Sequence, residues 1–181
     1  MKKAIMIVSS VLVVAIAIMY MQFENKNQVL REFGIDNMTT LQMVEALEAK
    51  TISVEELNAS ISGTTLTLSR KGMMYKFAVP NNLFYLSIAP YINQTHPCGT
   101  HNLVTCRGEL SNQTFDVTIT STTGETIFSG QKTAQDNGFF GIWLPRGMDV
   151  DVSVRYGSLQ SITRVSTNAD SNTCLTTMQL Q

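Results

Sequence analysis

Four of the five cysteine and histidine side chains in this chain lie in one stretch of eleven residues. The segment HPCGTHNLVTC, residues 96–106, contains His96, Cys98, His101 and Cys106, and the fifth residue, Cys174, lies close to the C-terminus. Thiolates and imidazoles are the ligands that proteins use for soft and borderline metal ions. This crowding therefore predicts a metal site built on the segment.

Three sulfurs restrict which metal such a site would hold. Cu(I) accepts two or three sulfur ligands, whereas zinc prefers four tetrahedral ligands and would need a set of three cysteines and one histidine. A four-iron cluster usually takes four cysteines, in a spacing pattern that this sequence lacks. His96 and His101 are possible auxiliary ligands, and hydrogen bonding within the loop accounts for them equally well.

An odd number of cysteines also fits a purely structural interpretation. One disulfide and one spare buried cysteine would explain the same composition in an exported chain. The residues around Cys98 favour a site instead, because Pro97 fixes the backbone before it and Gly99 allows another group to approach closely. Both interpretations stay open at this level.

Three longer motifs carry a resemblance to a known family. The segments HPCGTHNLVTCRGEL, GFFGIWLPRGM and TCLTTMQL resemble the CueP family of periplasmic copper-binding proteins, most strongly from His96 onward. The resemblance implies that Cys98, Cys106 and Cys174 bind copper as Cu(I). It further implies sequestration and delivery of copper in the bacterial cell envelope, as part of copper resistance, with copper-zinc superoxide dismutase as a recipient.

The sequence favours a binding protein over an enzyme. It contains no nucleophile–base set, phosphate-binding loop or HExxH motif, so any reduction of Cu(II) by the thiols would be stoichiometric. A formal net charge of −1 provides no basic surface for nucleic acid. The main alternative is a thiol–disulfide redox protein, although the usual Cys-x-x-Cys motif is missing. A zinc-binding protein is the other.

The N-terminus predicts export. The basic residues of MKK precede an uncharged apolar run over residues 4–21, which is typical of a secretory signal peptide. A run of this length is also at the lower limit for crossing a bilayer, so an uncleaved anchor is the alternative. Either interpretation of residues 1–21 places the rest of the chain in the periplasm.

Residues 22–90 are predicted to form an N-terminal α+β part. A short helix over about residues 26–33 should end at Gly34, and Thr39 with Gln42 forms a capping box before a second helix. Ser53 and Glu56 repeat this pattern, which predicts a further helix over VEELNASI. The segments TTLTLS and MYKFAV around RKGM then predict a β-hairpin, followed by a strand in LFYLSIAPYI.

Residues 91–181 are predicted to form the cysteine-bearing domain. Short alternating strands flank the TTGE and GS turns, and GFFGIWLP and CLTTMQL add two more strands. The predicted class is therefore α+β: a short helical N-terminal part with a β-hairpin, followed by a small antiparallel β-sandwich of transthyretin-like type. The apolar helical faces would pack on the hairpin or on a second copy in a homodimer.

The three thiols can share one metal ion only if the last strand lies beside the loop that enters the sandwich. We therefore expect Cys174 to lie next to Cys98 and Cys106. Residues 23–61 contain neither cysteine nor histidine, and their carboxylates match Cu(I) poorly, so we expect no metal ligand from them. Replacing any one cysteine by serine should weaken Cu(I) binding far more than replacing His96 or His101.

Overall fold

The structure is a computed structural model, and it describes residues 11–21, 28, 30–52 and 54–181. The chain divides into two compact units, Met1–Met38 and Thr39–Gln181. In the first unit residues 11–21 are helical, and Gly34 takes a positive φ of 67° two residues after the helical residues 30–32. Among the described residues, no helix is both long and apolar enough to cross a membrane. Residues 1–10 of the predicted signal lie outside the described residues, and the signal stays a prediction.

The second unit begins with one helix, α1, over Thr40–Glu48. The predicted capping box is present: the Thr39 hydroxyl accepts from the Gln42 amide, and the Gln42 side chain accepts from the Thr39 amide. Both contacts satisfy amides that the first helical turn leaves without partners. Met43, Val44 and Leu47 are buried, as the helical spacing requires.

Eleven strands follow among the described residues. They are β1 Asn58–Ile61, β2 Thr65–Arg70, β3 Met73–Ala78, β4 Leu83–Ile88, β5 His101–Asn102, β6 Thr114–Ser121, β7 Thr126–Thr133, β8 Phe140–Pro145, β9 Asp149–Tyr156, β10 Leu159–Ser166 and β11 Cys174–Leu175. They form three sheets, with the orders β3-β2-β1-β5, β10-β9-β6-β7 and β11-β4-β8. All pairings are antiparallel except that of β11 with β4, which is parallel.

The β10-β9-β6-β7 and β11-β4-β8 sheets enclose one apolar core. Alternate residues of four strands supply most of its side chains: Phe84, Leu86 and Ile88; Phe115, Val117 and Ile119; Phe140, Ile142 and Leu144; Val150, Val152 and Val154. This period of two is what a strand with one face on a core requires. The predicted α+β class with an antiparallel sandwich is confirmed.

The segment VEELNASI does not form the predicted helix. Its last four residues are strand β1, and Glu56 before them has a positive φ of 58°, which ends any helical turn. Leu57, Ala59 and Ile61 are all buried, so the burial follows a period of two. Pairing with β2 and β5 satisfies the backbone in the extended form, and this tertiary contact outweighs the local helical signal. Ser53 lies outside the described residues.

Strand β4 is buried on both faces. Phe84, Leu86 and Ile88 point into the sandwich core, and Tyr85 and Ser87 point to the opposite face, where both hydroxyls donate to the carboxylate of α1 residue Glu48. The continuous apolar run in the sequence reflects this double burial. The far face of β4 is the surface on which the cysteine cluster is assembled.

Strands before residue 90, the predicted boundary between the two parts, pair with strands after it. Strand β1 pairs with β5, and β4 pairs with β8 and β11, so residues on both sides of position 90 share sheets. All of them belong to the compact unit Thr39–Gln181. The division into an N-terminal part, residues 22–90, and a cysteine-bearing domain, residues 91–181, stays a prediction.

Tyr85 lies so close to Gly141 that we expect a larger residue at position 141 to destabilise the protein. A Cβ at Gly141 would overlap the Tyr85 hydroxyl, which is fixed by Glu48, while the Tyr85 ring packs on Trp143 with centroids 4.8 Å apart. We expect Gly141→Ala to lower the free energy of unfolding by roughly 1–3 kcal/mol, as overpacking does. Urea denaturation measures it.

Gly130→Ala on β7 is the matched control. A Cβ there meets only the end of the Phe128 ring, at 3.4 Å, so its stability should stay within about 0.5 kcal/mol of the parent protein. Equal stability of the two variants would contradict the requirement for glycine at position 141.

Candidate metal centre

The loop that begins at Cys98 is fixed to the C-terminal strand by backbone hydrogen bonds. The Gly99 carbonyl accepts from the amides of Thr173, at 3.0 Å, and Cys174, at 3.2 Å. Cys174 itself lies on β11, opposite Ser87 of β4. The distance between the Cα atoms of Cys98 and Cys174 is 5.6 Å. The prediction that Cys174 lies beside the Cys98–Cys106 segment is confirmed.

All three sulfurs lie together, in an oxidised arrangement. Cys98 and Cys174 form a disulfide, and Cys106 is a half-buried free thiol whose Sγ is 3.8 Å from the Sγ of Cys98. The structure thus contains the one disulfide and one spare cysteine of the structural interpretation. It also brings the three sulfurs into the single cluster that metal binding needs. Binding by all three as thiolates requires reduction of the disulfide.

His101 joins this cluster and His96 does not. The imidazole of His101 is fully buried, and its Nδ1 lies 3.7 Å from the Sγ of Cys174. One donor atom each from Cys98, His101, Cys106 and Cys174 lies within 4.8 Å of the others. His96 is outside this group, with its ring centroid 6.3 Å from that of Phe139.

Three elements fix the position of the His101 ring. Strand β5 pairs with β1 at Ile61, and the His101 amide donates to the Thr173 hydroxyl at 3.0 Å. The Phe139 ring packs against the imidazole with centroids 4.6 Å apart. The backbone contacts fix where His101 lies, and the Phe139 ring packs against its imidazole.

The sequence analysis missed Glu48, which contacts His101 from α1. The Nε2 of His101 lies 3.0 Å from one carboxylate oxygen of Glu48 and 3.2 Å from the other. The donors of the cluster that the described residues show are Cys98, His101, Cys106 and Cys174, and α1 supplies the carboxylate behind the histidine. That residues 23–61 provide no metal ligand stays a prediction. The position of Glu48 in the sequence could have indicated its burial, because Glu48 follows Val44 by four residues and so lies on the buried face of α1.

The comparison with protein families decides the identity of this arrangement. The family model described as periplasmic copper-binding protein CueP matches residues 42–179. The chain belongs to the CueP family. Its members are described as periplasmic and copper-binding, which agrees with a cluster of three cysteines and a histidine.

A solved CueP structure supports the same assignment. The crystal structure described as S.CueP is 35% identical to this chain, covers 86% of it and 98% of its own length, and superposes with a TM-score of 0.81. No curated protein matches the chain. The fold and the family are therefore established together.

Charge in this CueP-family site is concentrated on Glu48 and its partners. Burial would raise the pKa of Glu48, but hydrogen bonds from His101, Asn137 and Tyr85 and the charge of His101 outweigh it and hold the pKa below its ordinary value. Burial and the Glu48 charge raise the pKa of Tyr85, which therefore stays a hydroxyl donor. The carboxylate is thus kept ionised inside the protein.

His101 and Cys106 shift in opposite directions. Burial lowers the pKa of His101, but hydrogen bonding to Cys106 and Glu48, together with their charges, raises it to about 9. For Cys106, burial raises the pKa, while hydrogen bonds from His101 and the Asn102 amide and the charge of His101 bring it below its ordinary value. The pair favours a thiolate next to an imidazolium, which is the deprotonated form that metal binding needs.

Arg107 and Glu109, which follow Cys106 in the chain, both contact backbone groups nearby. Arg107 Nη1 donates to the carbonyls of Val104 and Cys106. The Glu109 carboxylate accepts from the backbone amides of Ile92 and Asn93, and these contacts hold the pKa of Glu109 below its ordinary value. Both side chains shape the loop around the cluster.

The lowered pKa of Cys106 predicts alkylation at a lower pH in the folded protein. In the oxidised protein Cys106 is the free cysteine, and the thiolate is the form that reacts with iodoacetamide. Its alkylation rate should therefore rise with pH at a lower midpoint in the folded protein than in the same protein unfolded in urea. The rate is followed by mass spectrometry across a pH series.

Replacement of His101 by glutamine should move this midpoint upward, because the imidazolium that stabilises the thiolate is lost. His96→Gln, the same change outside the cluster, should leave it in place. Identical midpoints for folded and unfolded protein would contradict the thiolate–imidazolium pair.

Proposed function

We propose that this protein sequesters Cu(I) in the periplasm through the thiolates of Cys98, Cys106 and Cys174. The observation that carries the proposal is the convergence of three sulfurs and one imidazole nitrogen within 4.8 Å in a chain of the CueP family. Thiolates select Cu(I) over hard ions, and three of them complete a trigonal site without a further ligand. Copper is the cargo of such a site, and the chain is expected to be exported by its N-terminal signal.

The disulfide supports a second step, the reduction of Cu(II). Two Cu(II) ions would take one electron each from the thiolates of Cys98 and Cys174, which then form the disulfide between them. The products are two Cu(I) ions and an oxidised protein, so atoms and electrons balance. Each turn consumes the dithiol, which makes the protein a stoichiometric reductant and not an enzyme.

Burial of the donors supports delivery from one side of the site. Cys98 and Cys106 are half-buried, whereas Cys174 is 5% exposed and His101 is fully buried. An acceptor thiolate could therefore approach copper at Cys98 and Cys106 and exchange ligands with them. We propose envelope proteins as acceptors, copper-zinc superoxide dismutase among them, in a pathway of copper resistance. Assembly of the chain as a homodimer is part of the same proposal.

Thiol–disulfide exchange with envelope proteins is the second candidate. It is favoured by the position of Cys106, whose sulfur is 3.8 Å from the disulfide sulfur of Cys98 and whose pKa is lowered by His101. A protein of this kind would exchange disulfides with a client and retain no metal. Metal retention separates the two candidates.

Anaerobic titration with Cu(I) against a competing chelator tests the proposed function. The fully reduced protein should retain one Cu(I) per chain, and the oxidised protein should retain none, because two of the three sulfurs are then in the disulfide. Cys98→Ser, Cys106→Ser and Cys174→Ser should each weaken binding at least a hundredfold, which is about 2.7 kcal/mol.

The control is His96→Ala, which removes an imidazole that lies outside the cluster and should leave the affinity unchanged. Disulfide exchange without retained copper would overturn the copper proposal in favour of the second candidate. Tighter retention of zinc than of Cu(I) by the reduced protein would instead support a site of three cysteines and one histidine for zinc.

A further inference from the structure

Glu48 is a carboxylate in a position that neither its place on the helix nor its burial favours. It is the last residue of α1, where the helix dipole disfavours negative charge, and it is only 4% exposed. Burial of a charge is costly unless it is paired and fully hydrogen-bonded. Within the described part of the chain, Glu48 forms an ion pair with His101. The function of this buried carboxylate therefore concerns His101.

Three further donors surround the same carboxylate. Asn137 Nδ2 donates to Oε1 at 2.7 Å, and the Tyr85 and Ser87 hydroxyls donate to Oε2 at 3.0 and 3.3 Å. Tyr85 and Ser87 come from the far face of β4, and Asn137 precedes β8. Two parts of the fold, β4 and the turn before β8, therefore hold the carboxylate in place, independently of the histidine.

This acceptor determines which nitrogen of His101 carries a proton. A carboxylate whose oxygens already receive donors can only accept, so the Nε2 that faces it must be protonated. The other nitrogen, Nδ1, faces the sulfurs and lies 3.7 Å from the Sγ of Cys174. A neutral His101 then has its lone pair at Nδ1, on the side of the cluster.

We propose that Glu48 is a positioning residue that fixes the Nε2–H tautomer of His101 and thereby presents Nδ1 as a nitrogen donor to copper held by the three cysteines. The part of this proposal that concerns copper rests on the proposed function, whereas the tautomer does not. Glu48 itself lies on the far side of the ring from the sulfurs. A carboxylate that orients a histidine ligand through its other nitrogen is an established device of metal sites.

The arrangement gives the site a nitrogen donor in addition to its sulfurs. Nitrogen suits Cu(II) better than oxygen or thioether donors do, so Nδ1 gives arriving Cu(II) a matched donor before the thiolates reduce it. It also makes the copper site depend on α1, a helix of the N-terminal part in which the sequence showed no ligand.

Nitrogen NMR on the unaltered protein tests the tautomer without copper. In reduced, metal-free protein labelled with ¹⁵N, long-range proton–nitrogen spectra at pH 10 should show neutral His101 with a protonated Nε2 and an unprotonated Nδ1. In Cu(I)-loaded protein, Nδ1 should show the shift of a metal-bound nitrogen. A neutral imidazole that is protonated at Nδ1 and not at Nε2 in the metal-free protein, or copper bound at Nε2, would overturn the proposal.

Glu48→Gln tests the residue itself. Glutamine keeps the size of the side chain but adds an amide donor, so both tautomers of His101 should appear. The nitrogen contribution to the copper X-ray absorption spectrum should fall, and Cu(I) affinity should drop about tenfold, as for other residues that orient metal ligands.

The matched control is Tyr85→Phe, which removes one donor to the same carboxylate and leaves the contact with His101 intact. It should keep a single tautomer and the nitrogen contribution. A Glu48→Gln protein that is folded by circular dichroism and keeps the single tautomer would overturn the positioning role. Should the variant fail to fold, the spectra of the unaltered protein still decide the tautomer.

The two proposals fail in different ways. A reduced protein that shows the Nε2–H tautomer without copper, and then retains no copper, would refute the proposed function and support the positioning of His101. A protein that retains one Cu(I) per chain with no bound nitrogen would support the proposed function and overturn the role of Glu48.

Discussion

The burial of strand β4 on both faces is the constraint on which the rest of this structure depends. One face completes the apolar core of the sandwich, and the other receives α1 through the hydrogen bonds of Tyr85 and Ser87 to Glu48. Its two edges pair with β8 and with β11. A single strand therefore couples the stability of the sandwich to the surface that carries the cysteine cluster, and Gly141 leaves the space that Tyr85 needs.

The parallel pairing of β11 with β4 brings Cys174 next to cysteines that are far from it in the sequence. It places Cys174 beside Ser87, and the Gly99 carbonyl joins the Cys98 loop to the same strand. Because the three sulfurs are adjacent, their oxidation state decides what the protein can do. The disulfide form stores two electrons fewer than the trithiol form and offers a single thiol, so copper binding and thiol chemistry are linked through one group of atoms.

Three neighbouring groups at this site carry or can carry charge. The Glu48 carboxylate, the His101 imidazole and the Cys106 sulfur alternate in sign when the thiol is deprotonated, and each favours the charged state of its neighbour. Buried charges of this kind are stable only when each is paired and hydrogen-bonded. The residues that supply these partners are Tyr85 of β4 and Asn137 of the turn before β8, which both lie outside the cysteine segment, so the fold itself sets the chemistry of the thiol.

The sequence by itself determined the residue types of the site and most of the strands. Local hydrogen bonds fixed the Thr39 capping box, and a period of two identified the sandwich strands because each has one face on a core. The crowding of cysteine and histidine in residues 96–106 indicated soft-metal chemistry before any fold was known. Tertiary structure alone decided that VEELNASI ends in a strand, because pairing with β2 and β5 outweighs a local helical signal. It also decided that His101 and not His96 joins the sulfurs, and that Glu48 of α1 stands behind the imidazole. These contacts join residues far apart in the chain, and no local pattern of spacing or propensity specifies which distant surfaces will meet.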